Sequence, residues 1–392
     1  MTSTIDDGRA TASPPDESAA ILRSVRALAP AIAERSDEIE RARRLPPDLV
    51  ARLRDAGCFR SLVPRRFGGA GLGLPDHLAM VRELSRADGS VGWTVMIGSA
   101  APVILGKLPT GTFDDVYADG PDVVVAGTFN PTGVATPVDG GFRVSGRWAF
   151  ASGCQHADWV VAHCVVDDGR VPPLRMAVVP AAEVEILDTW TVAGMCGTGS
   201  HDFTMDERFV PTARTFAVFD EGGIEGPLGL VPELSLSSLG FATVALGIAE
   251  AALAEVATLA TAKVPMFASG PLAANPLFRN QLGAADAQLR AAAALLDTTV
   301  AATWAGALVG ERPTLVERAR VRATATWVTA AAAAVVDTAY TAGGGSALYS
   351  ASPLQRRLRD VRAVTQHFAV KPDTYTLAGA VLAGQDVDTT FL

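Results

Sequence analysis

Residues 146–159 read GRWAFASGCQHADW, a strand-like run followed by a turn and the start of another strand. The aromatic residues favour an extended backbone, and the Ser-Gly pair favours a turn. Further runs of this kind, VVVAGTF, ADWVVAHCVV, RMAVVP and DFTMDERFVP, fall between about residues 120 and 215. Several short strands at close spacing predict a compact sheet or barrel domain in the middle of the chain.

Helical sequence lies on both sides of this strand region. On the N-terminal side, apolar residues repeat at helical spacing over 17–43 and 76–88. On the C-terminal side, the alanine-rich stretches 276–308 and 312–342 are apolar on more than one face, which is typical of a helical bundle. The predicted fold class is therefore α+β, with the strands between two helical regions.

The predicted domains follow these changes in pattern. They are a flexible tail at 1–16, an N-terminal helical domain at 17–115, a central β domain at 116–225 and a C-terminal helical bundle at 226–392.

Composition and charge exclude several classes of function. The chain has 392 residues with a net charge of −9 and no Lys/Arg-rich block, so nucleic acid is not an expected partner. The N-terminus lacks the basic and apolar regions of a signal peptide, and the apolar runs read as too short for a membrane span. Four cysteines without a C-x-x-C pair favour a reducing cytoplasm.

A group of possible metal ligands, Cys154, His156, His163 and Cys164, needs separate treatment. If this stretch is a strand, His156 and Cys164 lie about 26 Å apart and cannot share an ion. We therefore expect no metal. A G-x-G-x-x-G motif after an N-terminal strand is also missing, which argues against a Rossmann site for a nicotinamide cofactor.

Four stretches carry a resemblance to a known family. They are ADGSVGWT at 87–94, GRWAFASGCQHADW at 146–159, TWTVAGMCGTGSHDFTM at 189–205 and GGGSALYSASPLQRRLRDVRAVTQH at 343–367. In this order, and with the α, β, α arrangement, the chain resembles the acyl-CoA dehydrogenase fold over nearly its whole length. It is most similar to the branch of two-component flavin-dependent monooxygenases.

The resemblance implies a function. An oxygenase component of this branch takes reduced FMN or FAD from a separate NAD(P)H:flavin reductase, and here FMN is slightly preferred while FAD stays open. With O2 the flavin forms a 4a-hydroperoxide that hydroxylates an aromatic, polycyclic or nitrogen-containing small molecule. The family also implies a homotetramer, a dimer of dimers, which suits alanine-rich helices with more apolar surface than one subunit covers.

His367 is the first candidate catalytic residue. Dehydrogenases of the family remove a proton with a carboxylate, often a glutamate shortly after an R-x-x-R-D-like segment. Here that region reads RDVRAVTQHFAV, with no acid between Asp360 and Asp373. The resemblance places His367 beside the flavin, where a pKa near neutrality would suit it to move a proton on the substrate. The alternative is a helix-end histidine hydrogen-bonded to a carbonyl.

Ser152 is the second candidate. The resemblance places its hydroxyl beside flavin N5, with an ambiguity of one position that leaves Ala151 as the other candidate. Trp148 would pack against the flavin edge, although a core tryptophan is the alternative.

Other residues are candidates for holding the flavin. In GTFNPTG at 127–133, Thr128 and Asn130 would approach the pyrimidine end, unless this segment is only a β-turn. Arg279 resembles the arginine that reaches a flavin phosphate in the neighbouring subunit, and the alternative is an exposed helix arginine.

One departure from the branch concerns the substrate. Many of its hydroxylases carry a second histidine just after the GW of this helix, but here the chain reads GWTVMIGSAAP. A phenol that needs two histidines is therefore put in doubt, and a bulkier or less polar substrate becomes plausible.

Two other functions stay open. The chain could be an acyl-CoA dehydrogenase-type FAD enzyme, with Glu250 of GIAEAAL as a displaced base, or Glu250 could be a solvated helix residue. A helical binding protein without catalysis is the second alternative.

Overall fold

The computed structural model describes residues 15–166, 174–217 and 223–389. The N-terminal part of these ranges is helical, and prolines occupy the first turns of its third and fourth helices, where a missing N–H costs nothing. The helices are α1 (Pro15–Glu34), α2 (Ser36–Ala42), α3 (Pro47–Asp55), α4 (Leu74–Ala87), α5 (Gly89–Ser99), α6 (Ala101–Leu105) and α7 (Thr110–Val116). Residues 1–14 of the predicted tail lie outside the described residues.

The central region is a seven-stranded sheet, as the strand pattern predicts. Its strands are β1 (Val125–Val138), β2 (Gly141–Ala151), β3 (Trp159–Val165), β4 (Leu174–Pro180), β5 (Glu185–Leu187), β6 (His201–Pro211) and β7 (Thr215–Ala217). The order is β5-β6-β2-β1-β3-β4-β7, and the sheet is mixed because β1 and β3 are parallel while the other pairs are antiparallel.

The C-terminal region is helical again, so the predicted α, β, α order is confirmed. Its helices are α8 (Glu233–Ala262), α9 (Pro276–Leu308), α10 (Leu315–Gly343), α11 (Pro353–Val364) and α12 (Asp373–Leu382). The core forms where α8 packs against α4 and α10. Asn275 caps α9, and a capping box of Thr314 and Glu317 begins α10.

Two of these helices are long and apolar enough to cross a membrane by length and composition, which the sequence interpretation did not expect. In α8, however, 78% of the apolar window is buried inside the protein, as in the core helix of a globular domain. In α9 only 22% of the window is buried. This single chain therefore leaves many of the apolar residues of α9 uncovered.

The four cysteines are free and buried. Burial raises the pKa of the thiols of Cys58 and Cys164 to about 12 and that of Cys154 to about 11. Among the described residues, no three side chains of the metal-ligating types converge on a common point.

Candidate active site

The indole of Trp93, on α5, is the centre of the candidate site. Asp88 caps α5 by accepting hydrogen bonds from Ser90 N and Val91 N, which fixes the start of the helix. Trp93 Nε1 donates to Ser152 Oγ at 3.0 Å. Helix α5 and the end of β2 are therefore joined through a side chain that is half-buried at their junction.

His367 lies on the other side of this indole. Its ring contacts Trp93 edge to face at 5.7 Å between ring centres, and it lies 3.8 Å from the ring of the buried Phe241 on α8. The structure thus brings His367 and Ser152 to the same tryptophan, although 215 positions separate them in the sequence. The contact depends on α5, α8 and the segment after α11 packing together.

His367 is neutral at physiological pH. Burial, together with the positive charges of Arg322 and Lys371, lowers the pKa of its imidazole to about 4. The expectation of a pKa near neutrality is therefore wrong for this chain, because the ring is enclosed by aromatic rings and lies near two cations. His367 therefore does not gain and lose a proton near neutral pH, as the role predicted from the sequence would require.

The tautomer of His367 follows from its one ring hydrogen bond. Nδ1 accepts from Ala369 N at 3.3 Å and caps the short helix Phe368–Val370. A neutral imidazole that accepts at Nδ1 carries its proton on Nε2. His367 is hydrogen-bonded to a backbone N–H rather than to a carbonyl, so the structural alternative considered above is also not what is found.

The end of β2 has an unusual backbone. Phe150 has φ of 68°, a left-handed conformation that is costly for a bulky residue, and its side chain is 64% exposed. The register between β2 and β6 shifts between Trp148 and Ala151. Ala151 is fully buried, whereas the next residue, Ser152, presents its hydroxyl to Trp93.

The segment that contains Thr128 and Asn130 is a bulge in β1. The β1–β3 register shifts between Thr128 and Gly133, and Asn130 N donates to Thr128 Oγ1 at 3.1 Å. His163 Nδ1 donates to Phe129 O at 2.7 Å, which fixes the backbone of the bulge. Residues 127–133 lie within β1, so the segment is a strand with a bulge and not the β-turn of the alternative. Its residue Asn130 is exposed.

Trp148 does not reach a surface. Its side chain is fully buried, stacks on Phe203 at 5.0 Å, and donates from Nε1 to His163 O at 2.7 Å. A Cβ on Gly133 would lie only 2.0 Å from its ring. The expectation that Trp148 packs against the flavin edge is not what the structure shows, because the indole is enclosed in the core of the sheet, as the alternative had it.

Arg279 lies on α9, at an open groove of about 710 Å³ between α8 and α9. Its Nε donates to Ala273 O at 2.7 Å. The same groove is lined by Glu250, which is ion-paired with Arg82 and, at 3.6 Å, with Arg86. Glu250 is therefore neither a solvated helix residue nor an unpaired base, and the dehydrogenase alternative loses its proposed carboxylate.

The carboxyl group of Asp360, on α11, is also engaged. Its Oδ1 accepts from Met195 N at 2.6 Å, and burial together with the nearby charge of Asp88 raises its pKa to about 7. It ties α11 to the loop that precedes β6. Asp360 is the acid of the R-x-x-R-D-like segment, and its carboxyl group here has a structural role and is not a catalytic base.

Sequence reasoning missed Trp93, Phe241, Thr198 and Ser200. Trp93 lies within ADGSVGWT, and Thr198 and Ser200 lie within the stretch 189–205. Both stretches carry the family resemblance, but the resemblance did not single out these three side chains. A signal existed in the GTGS sequence at 197–200, because small and hydroxyl residues before a strand often supply side-chain hydrogen bonds. Phe241 gave no signal, since it is one apolar residue among many on α8.

Sequence comparisons with known proteins identify the family of this chain. The acyl-CoA dehydrogenase N-terminal domain matches residues 15–106, and the acyl-CoA dehydrogenase C-terminal domain matches residues 239–372. An indole-3-acetate monooxygenase of Pseudomonas putida is 34% identical over 352 residues, which cover 90% of each protein. The oxygenase subunit HsaA of a flavin-dependent monooxygenase of Rhodococcus jostii is 29% identical over 95% of this chain and 100% of that protein.

Solved structures show the same similarity in three dimensions. The HsaA monooxygenase from M. tuberculosis has a TM-score of 0.89 at 28% identity, covering 96% of this chain and 100% of that chain. XiaF from Streptomyces sp., in complex with FADH2 and glycerol, has a TM-score of 0.88 at 25% identity, covering 95% and 96%. The chain belongs to the acyl-CoA dehydrogenase superfamily, in its branch of oxygenase components of two-component flavin-dependent monooxygenases.

Proposed function

We propose that this chain uses reduced FMN or FAD, with FMN preferred, and O2 to hydroxylate an aromatic, polycyclic or nitrogen-containing small molecule. The reduced flavin comes from a separate NAD(P)H:flavin reductase, and the chain works in the cytoplasm. The observation that carries the proposal is the contact of one indole, Trp93, with both Ser152 and His367. A hydroxyl for the flavin and an imidazole for the substrate thus share one site.

The residues present fit a flavin. The hydroxyl of Thr94, next to Trp93, is buried and has no hydrogen-bond partner among the described residues, and its methyl group lies 3.2 Å from where a Cβ on Gly153 would be. In the bulge, Thr128 is half-buried and Asn130 is exposed. We assign Ser152 to flavin N5 and the bulge to the pyrimidine end. Bound reduced flavin supplies two electrons to O2, so that one oxygen atom enters the substrate and the other leaves as water.

His367 serves the substrate in this proposal. Because its proton is on Nε2, the neutral ring donates to an oxygen or nitrogen of the substrate and positions the carbon next to it. The rings of Trp93 and Phe241 form apolar walls beside this donor, which suits a planar aromatic molecule. Indole-3-acetate, the substrate named in one relative, has this shape.

The uncovered apolar residues of α9 support a homotetramer built as a dimer of dimers. Leu277 is 66% exposed and Leu295 is 41% exposed, on a helix of 33 residues. Exposed apolar surface along a whole helix is typical of an interface between subunits. In this assembly the open groove beside Arg279 becomes a place where a neighbouring subunit's flavin phosphate can lie.

Replacing Arg279 by alanine should weaken flavin binding about tenfold or more, because a charge-assisted contact to phosphate is lost. Equilibrium dialysis with FMN and FAD measures the effect. Arg320→Ala is the control, since Arg320 is an exposed arginine on α10 that does not line this groove. Light scattering should show a tetramer for both variants. Unchanged flavin affinity in Arg279→Ala, or a stable monomer in the wild type, would contradict this assignment.

The function itself is tested by supplying the reduced flavin directly. We expect the purified chain, mixed without oxygen with reduced FMN or FAD and then exposed to O2, to hydroxylate a probe such as indole-3-acetate. It should consume no NADPH unless a flavin reductase is added. Direct NADPH oxidation by the chain alone would overturn the proposal. Bleaching of bound oxidised FAD by an acyl-CoA would instead support the dehydrogenase alternative.

A further inference from the structure

Three buried hydroxyl groups lie in a row behind the candidate site. Trp93 Nε1 donates to Ser152 Oγ at 3.0 Å, and Ser152 Oγ lies 2.7 Å from Ser200 Oγ. Ser200 Oγ lies 2.7 Å from Thr198 Oγ1, which donates to Met195 O at 2.8 Å. Ser152, Ser200 and Thr198 are 7%, 3% and 2% exposed, so water does not compete for these contacts.

The donation of Thr198 to a carbonyl at one end of the row sets the direction of the other hydrogen bonds in it. A carbonyl oxygen only accepts, so the proton of Thr198 points to Met195 O. Thr198 Oγ1 must then accept from Ser200, and Ser200 Oγ must accept from Ser152. At the other end, an indole N–H only donates, which agrees with Ser152 as the acceptor from Trp93. With Thr198 donating to Met195 O, the four contacts form one chain of hydrogen bonds that runs from Trp93 to Met195.

The carbonyl that ends the row is held firmly. Met195 adopts a left-handed backbone with φ of 56°, and its N–H donates to the buried carboxyl group of Asp360 at 2.6 Å. Its oxygen also accepts from Trp190 Nε1 at 3.1 Å. Because these contacts fix the carbonyl in place, the direction of the row is a fixed property of the fold.

The row therefore decides what Ser152 can offer to a ligand. Its only proton is given to Ser200, and one of its two lone pairs receives the proton of Trp93. One lone pair is left, so Ser152 can accept a further hydrogen bond but cannot donate one. Reduced flavin carries a proton on N5, whereas N5 of oxidised flavin is itself an acceptor.

We propose that Thr198 and Ser200 are positioning residues that make Ser152 an acceptor, and that this polarity makes the site bind reduced flavin in preference to oxidised flavin. The proposal rests on the assignment of Ser152 to flavin N5 under the proposed function. In this proposal the redox state of the bound flavin is selected by the direction of a hydrogen bond, and Thr198 and Ser200 act on it through Ser152.

The test is the ratio of the dissociation constants for oxidised and reduced flavin, measured with FMN and FAD by equilibrium dialysis, without oxygen for the dithionite-reduced forms. In Thr198→Val the hydroxyl that orients Ser200 is lost, so the proton of Ser152 becomes free to donate to N5. The ratio should fall about tenfold. Ser200→Ala should have the same effect. Thr329→Val is the matched control, because Thr329 is a buried threonine that donates to Ala325 O at 2.8 Å far from the row.

Thr198→Ser keeps the hydroxyl and should keep the wild-type ratio. This variant distinguishes an effect of the hydrogen-bond direction from an effect of the side-chain volume. If Thr198→Val does not fold, Ser200→Ala and Thr198→Ser carry the same comparison. An unchanged ratio in both Thr198→Val and Ser200→Ala, in a wild type that prefers reduced flavin, overturns this inference alone. A wild-type chain that binds flavin in neither redox state contradicts the proposed function as well.

Discussion

Replacing His367 by alanine should lower the rate of product formation by about two to three decades, the usual cost of removing one positioned hydrogen-bond donor. The physical reason is the loss of the Nε2 proton that, in the proposed function, holds the substrate beside the Trp93 and Phe241 rings, which pack on each other at 4.7 Å. Reduced flavin should still consume oxygen, because Ser152 and its hydrogen bonds to Trp93 and Ser200 are untouched. Oxygen uptake, product and hydrogen peroxide, measured together, should show a shift from product to peroxide.

His367 also caps the helix Phe368–Val370, so a loss of activity in the alanine variant could come from local unfolding. His367→Asn is the second variant, because asparagine accepts a backbone N–H well at such a position and keeps the cap while removing the imidazole. We expect it to fold like the wild type and to lose product formation to a similar extent. If His367→Asn keeps the wild-type product yield, His367 has only a structural role.

Replacing Trp148 by alanine should lower the free energy of unfolding by about 3 to 5 kcal/mol, the usual cost of removing a large buried aromatic side chain. The indole is fully buried, stacks on Phe203 and satisfies the carbonyl of His163, so its loss leaves both a cavity and an unpaired buried acceptor. Chemical denaturation followed by circular dichroism measures the change.

Trp148→Phe separates the core role from the flavin contact predicted from the sequence. It keeps most of the volume, loses the hydrogen bond to His163 O, and should leave the affinity for reduced FMN within about twofold of the wild type, as expected for a residue outside the site. A large loss of flavin affinity at nearly unchanged stability would show that the original interpretation of Trp148 is correct.

The order of helices and strands could be predicted because it depends on local patterns. The alanine-rich stretch at 276–308 coincides with α9, and the strand runs fall in one sheet. What the sequence could not show is which side chains face each other. Phe150 and Trp148 are two positions apart on β2, yet one is exposed and the other is in the core, because the register shift reverses the expected faces.

Only part of the candidate site could be predicted, because the sequence does not show which side chains face each other. Ser152 and His367 stood out as a hydroxyl and a histidine within motifs, but the residue that joins them, Trp93, belongs to a third segment. The pKa of His367 was misjudged because burial and the nearby charges of Arg322 and Lys371 arise only when α10 and the C-terminal segment pack together.

The buried cysteines have a consequence for an enzyme that releases hydrogen peroxide whenever flavin oxidation is not coupled to product. Peroxide attacks thiolates, and a thiol with a pKa of about 11, such as Cys154, is ionised to about one part in ten thousand at pH 7. The thioether of Met266 needs no ionisation and is 82% exposed. Peptide mass spectrometry after prolonged uncoupled turnover should therefore find oxidation at Met266 before any cysteine, so the chain's own by-product damages its surface while its core stays reduced.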